Sequence, residues 1–214
     1  MWENEIALFI FIACLVIYII LLSISFKQVK PSERNVYRLI YRNWTENRIR
    51  KNEDIVTIQA LRNFIMGNST FISGLLILFA ILVGFYGTEF FSKELFLGIE
   101  GIELGFVQIS INVSVIIFSL VNFILSIRLI VRLTLAITGN PESYALEDLE
   151  AKTLLKKVFI SAQNHWMFGS RGIFYLVATL SWFISPYMFI IFSIILTSYL
   201  IFWGDIWLLS KKRT

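Results

Sequence analysis

Trp182-Phe183-Ile184-Ser185-Pro186-Tyr187 lies inside a run of 33 residues without a charge, bounded by Arg171 and Asp205. As a single helix that run is about 50 Å long, well beyond a hydrocarbon core of roughly 30 Å. Proline has no amide hydrogen to donate and disfavours helix at the residue before it. The run therefore reads as two membrane segments, 168–184 and 186–209, joined by a tight turn. The alternative is one kinked, tilted last span. The choice sets the number of crossings at five or four, and with it the side on which Lys211, Lys212 and Arg213 lie.

The remainder of the chain has the composition such segments need. Of 214 residues, 57% are hydrophobic and 16% charged, and the mean hydropathy is +0.74. A soluble domain would carry roughly a quarter charged residues. Three further apolar runs, 6–26, 62–86 and 111–135, are each long enough to cross a bilayer. The expected fold is an all-α integral membrane protein: one membrane domain, a helical bundle of five membrane segments, with an amphipathic surface helix and a cytoplasmic helix added. The acidic start, Glu3 and Glu5 with no basic residue before the first run, reads as a retained span and not a cleaved signal.

Charge placement favours five crossings. Of the 19 Lys and Arg residues, only Lys93 falls outside if the N-terminus is external and the C-terminus cytoplasmic, as the positive-inside rule prefers. Trp2 and Trp182 then mark one interface, and Trp166, Trp203 and Trp207 the other. A cell membrane is the expected location. The basic residues flank apolar spans and form no single soluble face, so a nucleic-acid partner is not expected.

The connectors carry their own patterns. Pro31-Ser32-Glu33 opens a helix in which Val36, Leu39, Ile40 and Trp44 share one face. Arg34, Arg38 and Arg42 form a row beside Tyr37 and Tyr41, as suits a helix lying on anionic lipid. Residues 87–110 hold Glu89, Glu94, Glu100 and Glu103 against Lys93, with four glycines, and are expected to cap the bundle or dip into the interface. Gly139-Asn140-Pro141-Glu142 stops one helix and starts another, an extramembrane helix over Ser143–Asn164.

Polar residues inside apolar spans are costly and usually face protein or a water-filled cavity. Ala60-Leu61-Arg62-Asn63-Phe64-Ile65-Met66-Gly67-Asn68-Ser69-Thr70 is the main case. Gln59, Asn63, Met66, Thr70 and Ser73 fall on one helical face, with Arg62 and Ser69 alongside. In the next span Asn112, Ser119, Asn122 and Ser126 share a face. The topology gathers Arg62, Arg128 and Arg171 at the inner end, with Gln59, Asn63, Asn122, Ser126 and Tyr175 at similar depth. Asp205 is the expected ion-pair partner of one arginine. The excess of guanidinium groups suits a small anion, a lipid headgroup or a carboxylate. The alternative is a polar clasp that only fixes packing.

Leu61-Arg62-Asn63 with Met66, Ser126-Ile127-Arg128, Gly169-Ser170-Arg171 with Phe174-Tyr175, and the Trp182–Pro186 turn resemble the signatures of the multi-pass membrane family labelled domain of unknown function 599. Ser185 stands where that family commonly has glycine. The resemblance runs from about Asn35 to Trp207 and implies a small helical membrane protein with no assigned activity.

Enzyme readings find little support. His165 is the only histidine and Cys14 the only cysteine, and there is no GxSxG, P-loop or HExxH sequence. No catalytic residue, metal or cofactor is expected. Two functions remain: an oligomeric channel or transporter-like protein for a small anion, and a protein that binds anionic lipid or acts as a scaffold. Expected partners are membrane lipids and further copies of the chain.

Overall fold

A computed structural model describes residues 2–27, 33–51, 54–85, 94–139 and 151–205. These residues are helical almost throughout. The helices are α1 (Glu3–Lys27), α2 (Glu33–Lys51), α3 (Asp54–Phe85), α4 (Leu104–Thr138), α5 (Ala151–Ser181) and α6 (Pro186–Tyr199), the last followed by a π-helical turn over Leu200–Asp205. Three stretches are long and apolar enough to cross a membrane: Glu3–Ser25, Ile55–Phe85 and Leu104–Thr138. A shorter apolar helix covers Pro186–Phe202.

The break at Pro186 has a local cause. α5 ends at Ser181, and the amides of residues 182–185 turn back onto the carbonyls of Thr179, Leu180 and Ser181. Ser185 is extended and caps α6, its hydroxyl accepting from the Tyr187 amide at 3.3 Å. Proline then occupies the first turn, where its missing amide hydrogen is not needed.

Two expected boundaries move. The separate helix over Ser143–Asn164 and the segment 168–184 are, where described, one helix of 31 residues. Nothing between Asn164 and Phe168 breaks a helix, and Gly169 alone is tolerated in an interior. Residues 140–150, including Pro141, Glu142 and the start of the expected helix, lie outside the described residues. α4 likewise begins at Leu104, upstream of the expected 111.

The chain divides into two compact units. The first comprises Met1–Val36, Phe79–Ile116 and Gly172–Thr214. There α1 packs along α6, around a core of aromatic rings. Phe11 meets Tyr175 edge-on and lies 5.1 Å from Phe189, and Trp182 stacks on Phe189 at 4.8 Å. A polar network sits beside it. Asn112 Nδ2 donates to the Gln108 carbonyl at 2.9 Å, and the Thr179 hydroxyl donates to Asn112 Oδ1 at 2.8 Å. Gln108 Nε2 donates to the Trp182 carbonyl at 3.1 Å. Buried polar groups need such partners. Asn112→Leu is expected to cost about 1–2 kcal/mol, because it removes the buried bonds of Asn112 to Gln108 and Thr179 and leaves the Thr179 hydroxyl only the Leu176 carbonyl at 3.1 Å. Unfolding in a denaturing detergent titration measures this, and adding Thr179→Val should recover part of the loss.

The loop over residues 94–103 belongs to the same unit. Its ends are pinned by the Leu104 amide donating to the Glu94 carbonyl and the Phe96 amide to the Ile102 carbonyl, both at 2.8 Å. Gly98 and Gly101 have φ of 67° and 86°, the region open to glycine, whereas Leu97 is held at φ 56° against the steric preference of a side-chain-bearing residue. The Leu97 amide donates to Glu5 Oε1 at 3.1 Å, which ties the loop to the first turn of α1.

The second unit comprises Tyr37–Leu78 and Ile117–Arg171. Its apolar core joins Leu61 of α3, Ile130, Leu133 and Ile137 of α4, and Leu155, Phe159 and Ala162 of α5. α2 docks through Tyr41 and Trp44, both against Phe159, and through Lys156 Nζ to Glu46 Oε2 at 2.9 Å. Burial, reinforced by Tyr37 alongside, pushes the Tyr41 hydroxyl pKa above its ordinary value. Along the part of α3 in this unit, Leu61, Asn68 and Leu75 are buried at intervals of seven, and most of the residues between them are exposed. Such a seam is narrow for a helix of this length.

Candidate functional site

The two polar stripes read from the sequence have opposite fates. Asn112, Ser119, Asn122 and Ser126 of α4 are all buried. Within the second unit, Ser126 donates to the Ala162 carbonyl of α5 at 2.8 Å. Asn122 Nδ2 is committed to the Phe118 carbonyl at 2.9 Å, so Asn122 Oδ1 accepts, and His165 Nδ1, 3.0 Å away, carries the hydrogen. A helix lets α5 approach so closely only where its residues are small. Ala162 is one such residue. Gly169, seven residues on, is another, and an added Cβ there would lie 3.0 Å from the Phe123 ring. This is close packing of two helices through small residues, with side-chain hydrogen bonds across the seam.

The stripe on α3 is open. Gln59, Arg62, Asn63, Met66, Ser69, Thr70 and Ser73 are exposed, and added Cβ atoms at Gly67 and Gly74 would meet nothing within 4 Å. Ser69 and Thr70 return their hydroxyls to the carbonyls of Ile65 and Met66. Asn68 is the inward residue, 1% exposed, its Nδ2 on the Phe64 carbonyl and its Oδ1 without a hydrogen-bond partner.

The expected site residues are therefore distributed. Gln59, Arg62, Asn63 and Arg128 are exposed, whereas Asn122 and Ser126 are consumed by α4–α5 packing. Arg171 is half-buried and donates from Nη1 to the Met167 carbonyl at 2.6 Å. Tyr175 is buried in the first unit beside Phe11 and Tyr18. Arg38 and Arg42 are exposed on α2. The side chains of Arg34 and Asp205 lie outside those described, so the expected Asp205 ion pair does too. The bond between His165 and Asn122 is not among the sequence-based expectations. The signal was available: Asn122 and Ser126 already shared a face with no partner assigned.

A family model described as "Protein of unknown function, DUF599" matches residues 6–206. The chain belongs to this family. The match runs from the first turns of α1 through α6. No curated protein and no solved structure matches the chain.

Proposed function

We propose that this protein crosses a cell membrane five times, N-terminus outside and C-terminus cytoplasmic, and assembles into an oligomer whose α3 faces line a path for a small anion. The observation that carries this reading is the open stripe of α3. Amide and guanidinium groups facing lipid tails are expensive, and Gln59, Arg62 and Asn63 have no hydrogen-bond partner among the described residues. A second copy and a water-filled path between copies would relieve that cost. The α4 stripe is spent on α5, which leaves α3 to line the path, with Arg62 giving the mouth its sign. Gly67 and Gly74 would let a neighbouring helix approach.

Two measurements test it. In a Cys14→Ala background, Met66→Cys should form a disulfide-linked dimer in lipid, whereas Cys at the inward position 75 should not. Chloride efflux from proteoliposomes should fall at least tenfold in Arg62→Gln. An absent cross-link, or efflux indifferent to Arg62, would sink the reading.

A second reading, anionic-lipid binding, has its own support in α2. Leu39, 62% exposed, and Ile40 lie beside exposed Arg38 and Arg42, while Tyr41 and Trp44 face Phe159. A helix docked on one side and both apolar and basic on the other suits a leaflet surface. Arg38→Gln with Arg42→Gln should lower the number of anionic lipids retained in native mass spectrometry. Unchanged retention would count against it.

A further inference from the structure

Within the second unit, the outward face of α4 changes character partway along the helix. Ile117, Val121, Ile124, Arg128, Arg132 and Leu135 follow one another at steps of three and four, so they share one face. All six are exposed. The opposite face is the buried seam through Ser119, Ser126 and Leu133. Three exposed aliphatic side chains thus lead to two exposed guanidinium groups one turn apart. α4 contains no acidic residue. Neither Arg128 nor Arg132 has a hydrogen-bond or ion-pair partner among the described residues. The pair is also set back from the helix end, with Arg132 about 9 Å short of Thr138. Two unneutralised charges that far inside an apolar helix are expensive unless an anion meets them.

We infer that this face is a binding site for a phospholipid of net negative charge, its phosphate bridged by Arg128 and Arg132 and one acyl chain lying along Ile124, Val121 and Ile117. Guanidinium groups bind phosphate through paired, charge-assisted hydrogen bonds. Residues four apart on a helix stand about 6 Å apart, so one phosphate can accept from both. The lengths agree. From Arg128 to Ile117 the helix rises about 16 Å, and half of a roughly 30 Å hydrocarbon core is about 15 Å. Other occupants match the face less well. A parallel second copy sets arginine against arginine, an antiparallel one sets arginine against hydrocarbon, and an acidic soluble partner leaves the aliphatic stretch uncovered. The site is separate from the lipid surface proposed on α2 and from the path proposed along α3. It rests on the reading of α4 as a helix that crosses a membrane.

The test reads lipid at the site itself. The full-length protein, carrying Cys14→Ala and a bimane label on Val121→Cys, is reconstituted into phosphatidylcholine vesicles. Part of the lipid is replaced by phosphatidylglycerol or phosphatidylcholine brominated midway along the acyl chains, which quenches a label in contact with it. Phosphatidylglycerol should bind at the label about fivefold more strongly than phosphatidylcholine. Arg128→Gln with Arg132→Gln should bring that ratio to about one, and the corresponding pair of lysine substitutions should retain part of it. Arg38→Gln with Arg42→Gln on α2 should leave it unchanged. A label on Ile17→Cys, at an exposed position of α1, should show no preference. Equal quenching by both lipids with the arginines intact would overturn the site while leaving α4 in the membrane. No quenching by either lipid would place this face outside lipid and overturn both readings. Loss of the preference on adding glycerol 3-phosphate would assign the arginines to a soluble phosphate and overturn the lipid site.

Discussion

Trp182→Ala should destabilise the protein by about 3–5 kcal/mol, the range for removing a large, fully buried aromatic side chain. Trp182 is 2% exposed and sits where three elements meet. Its ring stacks on Phe189 of α6 and meets Phe96 of the 94–103 loop edge-on, and its Nε1 donates to Asn4 Oδ1 of α1 at 2.9 Å. Alanine removes all three links and leaves a cavity at the turn. Trp182→Phe separates the contributions. It keeps an aromatic ring against Phe189 but loses the bond to Asn4, and should cost about 1 kcal/mol beyond the lost volume. Reversible unfolding in a denaturing detergent titration gives both values. A loss below about 1 kcal/mol for alanine would mean that Trp182 is not the centre of this unit.

Gly169→Val should destabilise by about 1–3 kcal/mol through overpacking, although glycine inside a helix is ordinarily the less stable choice by about 0.5–1 kcal/mol. The sign follows from the neighbour. A Cβ at 169 would stand 3.0 Å from three carbons of the Phe123 ring, and that ring is fully buried and stacked on Phe71 at 5.3 Å. It cannot withdraw. Phe123→Leu made together with Gly169→Val should recover part of the loss, so that the two changes are not additive. Gly67→Ala is the control of opposite sign. Open space surrounds position 67, so in the isolated chain alanine should stabilise by a few tenths of a kcal/mol or more. If copies pack through α3, the same change should weaken their association.

How far the sequence could be read differs between helices, for physical reasons. The break at Pro186 was legible because proline chemistry is local: the missing amide hydrogen and the capping serine need no distant partner. The inward face of α4 was legible because Asn112, Ser119, Asn122 and Ser126 are the polar residues on an otherwise apolar face. α3 was ambiguous, because it is polar on two sides. Asn68 points inward and Asn63 and Thr70 outward, and periodicity cannot rank one amide above another. The continuity of α5 was missed because Asn164 and His165 look like a helix end, yet His165 is held inside the helix by Asn122. Glu5 was read only as part of an acidic terminus. Its burial depends on a loop roughly 90 residues later, and no local pattern signals that.

The bonds at the Trp182 turn also bear on when the protein can finish folding. Asn4 and Trp182 are 178 residues apart, and Glu3 and Tyr187, joined at 2.8 Å, are 184 apart. α1 leaves the ribosome well before its partner α6 is made. At 5–20 residues per second that is a wait of roughly 10–40 s. During it Phe11 and Tyr18 of α1 lack their partners Tyr175 and Phe189, and Glu5 gains Leu97 only about half-way through. Closure of the first unit joins sequence-distant elements, which is the slow kind of contact to form. A chaperone or insertase that shelters α1 over that interval would raise the yield of folded protein, and α1 would be the helix it holds.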